Sequence, residues 1–328
     1  MPLPDSEKVV YLLKPRGFCA GVVRAIDIVE LALDAYSPPI YVRREIVHNR
    51  HVVEDLASRG AVFVEELDEV PEGQRVIYSA HGVSPEVRER AKQRGLKVID
   101  ATCPLVTKVH VEAVKFAKGG GTILLIGHRD HEEVIGTSGE APEQTIVVSS
   151  AAEARTIELD SAENLYYLTQ TTLSLDEANE IISVLKERFP HIQGPPAQDI
   201  CYATENRQQA VKRRASQCDL LLVVGSRNSS NSKRLVEVGQ NHGVNGYLID
   251  DERDIEDAWL EGVRSVGISA GASAPEVLVE RVVAHLQNQF AFGRVEEVEV
   301  IEENVKFPLP RELAAHQKSL TQIANANV

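Results

Sequence analysis

The chain has 328 residues, 43% hydrophobic and 26% charged, with 35 Lys and Arg against 49 Asp and Glu and a formal net charge of -14. A balance this acidic excludes nonspecific binding to nucleic acid or to an anionic membrane, and an anionic ligand would need a local site. No apolar run approaches the ~20 residues of a membrane helix. Residues 1–7 lack the features of a secretory signal or transit peptide, so the cytoplasm is the expected compartment.

The length predicts two or three domains of about 100–150 residues. Four cysteines occur, Cys19, Cys103, Cys201 and Cys218, with no Cys-x-x-Cys pair. Disulfides are not expected in a reducing compartment, and any one cysteine taken alone reads as a small buried hydrophobe. Self-similarity along the chain changes that reading.

The first unit, 9–101, opens with a strand-like run over 9–13 that leads to Cys19, and a helical pattern follows over 22–33. A strand over 40–47 ends at His48-Asn49, and another over 75–78 ends at Ser79-Ala80-His81-Gly82. The helix-start signal Ser84-Pro85-Glu86 comes next. The second unit, 102–198, repeats the order. A run over 97–103 reaches Cys103, a helix is predicted over 106–117, and Gly119-Gly120-Gly121 turns into a strand over 122–126. That strand ends at His128, His131, Glu132 and Glu133; a further strand over 165–168 ends at Thr169-Gln170-Thr171-Thr172, before Ser174.

The third unit, 199–290, has a short run over 198–201 reaching Cys201 and a helix over 210–215. Its strand over 220–224 leads to Ser226, Ser229, Ser230 and Asn231, and its strand over 265–268 leads to Ser273 and the helix start Ala274-Pro275-Glu276. Residues 291–328 read as a C-terminal tail, polar and mobile after Arg311. Cys218 lies between helix and strand, away from the ligand edge, and reads as structural.

Alternating strands and helices predict an α/β fold with parallel sheets. Ligands of such units gather at the carboxyl ends of the strands, where every polar or cysteine-bearing segment above falls. Three units converging on one centre would gather three thiols, several imidazoles and hydroxyls, and one or two carboxylates. Helix amino termini are expected to lower the thiol pKa values. Three thiolates suit zinc or an iron–sulfur cluster, and three rather than four cysteines leave a coordination position open. His48, His81, His131, Ser229, Ser230, Asn231 and Ser273 read as an anion cradle, although Ser273 also fits a helix cap. No GxxxxGK[ST] or GxGxxG motif supports a nucleotide site.

The segments Arg16-Gly17-Phe18-Cys19-Ala20-Gly21, Ile46-Val47-His48-Asn49, Ser79-Ala80-His81-Gly82, Ala101-Thr102-Cys103-Pro104, Thr169-Gln170-Thr171-Thr172, Gly225-Ser226-Arg227-Asn228-Ser229-Ser230-Asn231 and Ala270-Gly271-Ala272-Ser273 resemble the LytB/IspH family of 4-hydroxy-3-methylbut-2-enyl diphosphate reductases. The likeness runs in order from about position 9 to 312. It implies a trefoil of three α/β units around a central cavity and one [4Fe-4S] cluster on Cys19, Cys103 and Cys201, with one iron open to substrate. It implies a diphosphate held by His48, His81, His131, Ser229, Ser230, Asn231 and Ser273. Glu133 would deliver protons, Thr171 would lie near the substrate hydroxyl, and His131 would assist. The implied reaction is reductive dehydroxylation to isopentenyl and dimethylallyl diphosphate, the last step of the methylerythritol phosphate pathway. Flavodoxin or ferredoxin would supply electrons.

One departure is local. The family usually has His-Pro-Glu where this chain has His131-Glu132-Glu133, and Glu132 is expected to be solvated. Two rival readings are a noncatalytic metal sensor and a zinc-dependent diphosphate hydrolase. Oligomeric state is not legible in the sequence.

Overall fold

The structure is a computed structural model that describes residues 8–159 and 163–317. The chain runs β1 (Val9–Lys14), α1 (Ala20–Tyr36), β2 (Ile40–Arg43), α2 (Arg50–Ser58), β3 (Ala61–Val64), β4 (Arg75–Tyr78), α3 (Pro85–Gln93) and β5 (Lys97–Asp100). It continues with α4 (Pro104–Lys118), β6 (Thr122–Ile126), α5 (Glu132–Ser138), β7 (Thr145–Val148), α6 (Ala151–Thr156), β8 (Leu165–Thr169) and α7 (Leu175–Arg188). The last part holds α8 (Tyr202–Arg214), β9 (Leu220–Val224), α9 (Ser230–Asn241), β10 (Asn245–Ile249), β11 (Ser265–Ala270), α10 (Glu276–Phe290) and β12 (Arg294–Glu299).

Three sheets form, ordered β3-β2-β4-β5, β7-β6-β8 and β10-β9-β11-β1-β12, and their strand pairings are parallel. In each, one strand sits between its two successors in the chain: β2 between β3 and β4, β6 between β7 and β8, β9 between β10 and β11. The strand order therefore reverses in every sheet, and a crevice opens at the carboxyl ends there. Central strands read as continuous apolar runs because both faces are covered; all five residues of β9 are buried.

The strands that precede the cysteines do not join the sheets of the units they open. β5, just before Cys103, pairs with β4, and β1, before Cys19, pairs with β11, Val10 opposite Val266. The predicted strand over 198–201 is not formed. Gln193 instead makes an isolated bridge to Tyr166 of β8, and Pro195 and Pro196, which have no N–H to give a ladder, separate it from Cys201. Cys103 and Cys201 thus enter the centre beside the outermost strands β5 and β8, and Cys19 enters from β1, which lies between β11 and β12.

The segment read as a tail is built into the fold. β12 pairs with β1 along its length, residues 311–317 are helical, and Leu313 is buried in the core beside α1. The expected mobile end beyond residue 317 lies outside the described residues. Glu303 accepts from Arg207 Nη1 at 3.0 Å and from Asn206 Nδ2 at 3.0 Å. Arg207, fully buried, also donates to Gly17 O at 2.7 Å and Ala203 O at 2.9 Å, tying this segment to the loops of Cys19 and Cys201. Removing one partner of a buried pair leaves an uncompensated charge, so Glu303→Ala is expected to cost about 3 kcal/mol or more in denaturant unfolding. No described helix is long and apolar enough to cross a membrane.

Candidate functional site

All three repeat cysteines occupy the N-cap position of a helix: Cys19 of α1, Cys103 of α4 and Cys201 of α8. Pro104 begins α4, where its missing N–H costs no helical bond. The three thiols line one cavity with an empty volume of about 680 Å³. His48, His81, His131, Glu133, Thr171, Ser229, Ser230, Asn231 and Ser273 line the same cavity. Every candidate residue named from the sequence is therefore brought together, while Cys218 is buried in a separate core under β9 and lines no part of it.

Two of the thiols, Cys103 and Cys201, differ from expectation in their acidity. Helix-terminal N–H groups do favour thiolate at Cys103 and Cys201, but burial outweighs them and pushes Cys103 up to about 12 and Cys201 up to about 11. The neighbouring thiols add to the rise at Cys103. Cys201 Sγ accepts from Thr204 N at 3.3 Å and lies 3.1 Å from Thr204 Oγ1. Thr204 also accepts from Asn231 Nδ2 at 3.2 Å, which joins the thiol to the polar loop before α9. Sequence reasoning missed Thr204; its signal was the three-residue spacing from Cys201 at a helix start.

In the same cavity, Glu133 is 2% exposed. It accepts from Thr171 N at 2.6 Å and pairs with Thr171 Oγ1 at 3.0 Å. Burial pushes its carboxyl up to about 7 against the two Thr171 bonds, with a smaller push from Asp199. It is placed by α5, whose N-cap is His131; His131 Nδ1 accepts from Glu133 N at 3.2 Å.

The three imidazoles form one group. His48 and His81 stack with ring centres 4.0 Å apart, and His131 meets them edge-on at 5.7 and 5.9 Å. Around them, Ser229 caps α9 and accepts from Ser232 N at 3.3 Å, while Ser230 accepts from Gln170 Nε2 at 3.3 Å. Asn231 Oδ1 accepts from Ala272 N at 3.0 Å. Ser273 donates to His48 O at 2.9 Å and does not cap α10, whose N-cap is Pro275. Glu132 is not solvated as expected: its side chain is 16% exposed and lies 3.4 Å from His81 Nδ1 and 3.5 Å from Arg44 Nη1. Among the described residues, no Lys or Arg lines the cavity.

Such a molecule is a three-sheet α/β protein with one cavity lined together by three thiols, a buried acid and an imidazole–hydroxyl cradle. The LytB protein family matches residues 10–287, and the chain belongs to that family. It is 54% identical over 330 residues to the 4-hydroxy-3-methylbut-2-enyl diphosphate reductase of Acidothermus cellulolyticus, covering 99% of this chain and 96% of that one. It is 56% identical over 311 residues to the enzyme of the same name from Actinobacillus pleuropneumoniae, covering 94% and 99%. Among solved structures, the E-1-hydroxy-2-methyl-but-2-enyl-4-diphosphate reductase of Plasmodium falciparum superposes with a TM-score of 0.92 at 42% identity, over 96% of this chain and 99% of that one.

Proposed function

We propose that this chain is a cytoplasmic oxidoreductase that removes the hydroxyl of 4-hydroxy-3-methylbut-2-enyl diphosphate to give isopentenyl and dimethylallyl diphosphate, the last step of the methylerythritol phosphate pathway. The observation that carries the reading is the sharing of one cavity by three thiols, the Glu133–Thr171 pair and the His, Ser and Asn cradle. The names of the relatives support it. The three units, 9–101, 102–198 and 199–290, each contribute one cysteine.

The donor set fits an iron–sulfur cluster on Cys19, Cys103 and Cys201. Buried neutral thiols have little to gain here, whereas a cationic centre would draw them to thiolate. Space is kept for it at Gly21, where a Cβ would stand 2.7 Å from Cys103 Sγ and 3.8 Å from Cys19 Sγ. When bound, a [4Fe-4S] cluster supplies electrons singly from a carrier such as flavodoxin or ferredoxin and leaves one iron open to substrate. Gly21→Ala is expected to fold but to hold less than about half the iron and sulfide of the parent, by colorimetric analysis, because the methyl collides with the thiol wall.

The rest falls to the chain's own groups. His48, His81, His131, Ser229, Ser230, Asn231 and Ser273 hold the diphosphate, and that remote anchor fixes the position of the hydroxyl. Thr171 orients the hydroxyl, and Glu133, with His131 beside it, gives the proton with which it leaves as water. Two electrons and two protons replace the hydroxyl: one proton leaves with it as water, and the other adds to the allylic fragment, at the former alcohol carbon for dimethylallyl diphosphate or at the far end of the allyl unit for isopentenyl diphosphate. Anaerobic purification tests the reading: a brown protein with about four iron and four sulfide per chain is expected. A colourless zinc protein would sink it in favour of a zinc hydrolase.

A further inference from the structure

The hydrogen-bonding state of the three imidazoles carries one step more, resting on the reading of this cavity as a diphosphate site. An imidazole can donate to an anion only from a ring nitrogen that bears hydrogen. His131 Nδ1 accepts from Glu133 N, so its hydrogen is on Nε2, and it can donate while neutral. Burial, followed by the neighbouring His81 and His48, holds it far down, at about 3, in keeping with that state.

His48 and His81 are placed the other way round. His48 Nδ1 lies 3.1 Å from Glu45 Oε2, and Asn228 Nδ2 also donates to that carboxylate, at 2.6 Å. His81 Nδ1 lies 3.4 Å from Glu132 Oε2 and 3.2 Å from Ser79 Oγ. Carboxylates only accept, so these contacts favour hydrogen on both Nδ1 atoms and a bare lone pair at Nε2 of each neutral ring, against a longer approach of Asn228 Nδ2 to His48 Nδ1 at 3.4 Å. Neither Nε2 has a protein partner among the described residues. A diphosphate meeting those lone pairs would be repelled, and among the described residues no Lys or Arg in the cavity wall compensates.

We propose that diphosphate binds here with uptake of a proton from solvent onto the stacked His48–His81 pair, and that Glu132 is the positioning residue that lets His81 accept it. The charges facing His81 come from several elements: Glu45 and His48 after β2, Arg44 through its contact with Glu132, and His131 and Glu132 at the start of α5. In the empty site, burial and then His48 hold His81 below its ordinary value, so the ring is neutral near pH 7. Glu132 stays ionised. Burial opposes its charge, but His81, His48 and Arg44 hold it down to about 2. It offsets the imidazolium once the anion arrives, as a carboxylate behind a ligand histidine does elsewhere.

The sign follows. The proton is bound more tightly in the complex than in the free protein, so affinity is highest at low pH. It falls as pH rises through the range between the free and the bound pKa of His81.

Calorimetric titration of the holoenzyme with inorganic diphosphate, in buffers of different ionisation enthalpy, counts the protons taken up. The parent should take up about one proton more than Glu132→Gln, and its Kd should rise about tenfold per pH unit relative to the variant. Comparing the two cancels the ionisation of diphosphate itself. Glu132→Asp should restore part of the uptake. Equal uptake by parent and Glu132→Gln overturns the proposal. Failure of the parent to bind inorganic diphosphate overturns the reading of the cavity on which it rests. Histidine ¹⁵N shifts of the parent give the answer without a variant: both His81 ring nitrogens should become protonated on titration, and a ring that keeps one bare nitrogen refutes the idea.

Discussion

Glu133→Gln should lower turnover by at least ~10²-fold while iron content and diphosphate affinity stay at the parent level. The amide preserves the size of the side chain and can still accept from Thr171 N, so the cavity keeps its shape. What it lacks is a transferable proton. The carboxyl is suited to that task because burial raises it to about 7, close to the pH at which it must give up a proton and recover it. A general acid must be protonated to act, so single-turnover rates in the free-acid-limited regime should fall about tenfold per pH unit above about 7. In the Gln variant that limb should vanish along with most of the rate. A variant that turns over as fast as the parent would place proton delivery on another group.

The second large effect concerns the thiols. Cys19→Ser, Cys103→Ser and Cys201→Ser are each expected to lose the cluster absorbance and more than about 99% of activity, since a neutral hydroxyl replaces a thiolate ligand. Cys218→Ser should keep both. Its sulfur packs among Leu13, Val211 and Leu221 and reaches only Arg214 O, at 3.6 Å. Equal loss at Cys218 would point to four ligands and leave no iron for substrate. Iron and sulfide analysis beside turnover separates these outcomes.

Much of this was legible in the sequence because strand-to-loop transitions repeat. The strands over 122–126 and 220–224 and the helix starts at Ser84 and Ser174 fall where periodicity and cap residues put them. The three cysteines read as helix starts for the same reason. The strands β3, β7 and β10 escaped notice. Each lies on an outer edge and is only four or five residues long, partly polar or exposed, so alternation is weak there. β12 was hidden by its three Glu residues, which suit an edge strand but resemble a solvated tail.

Sheet membership was not legible at all. Nothing in the residues 9–14 says whether they pair within their own unit or with β11, because apolar patterning fixes which face is buried and not which neighbour is chosen. The environment of Glu132 was equally hidden. Arg44 and His81 reach it from distant parts of the chain, and only the folded arrangement turns an expected surface carboxylate into a partner of an imidazole.

The pairing of β1 with β11 bears on how the molecule is made. Val9 lies opposite Ser265, so β1 waits for a strand made far later in the chain before it has that neighbour. Closing so long a loop carries a large entropic cost and is slow, whereas β4 and β5 meet soon after they emerge. On a growing chain the wall around Cys103 can therefore settle early, and the one around Cys19 settles only after β11 has emerged. On the proposed cluster reading, iron supplied before β11 has emerged would meet an incomplete set of thiols, so loading of Cys19, Cys103 and Cys201 is expected to follow that stage.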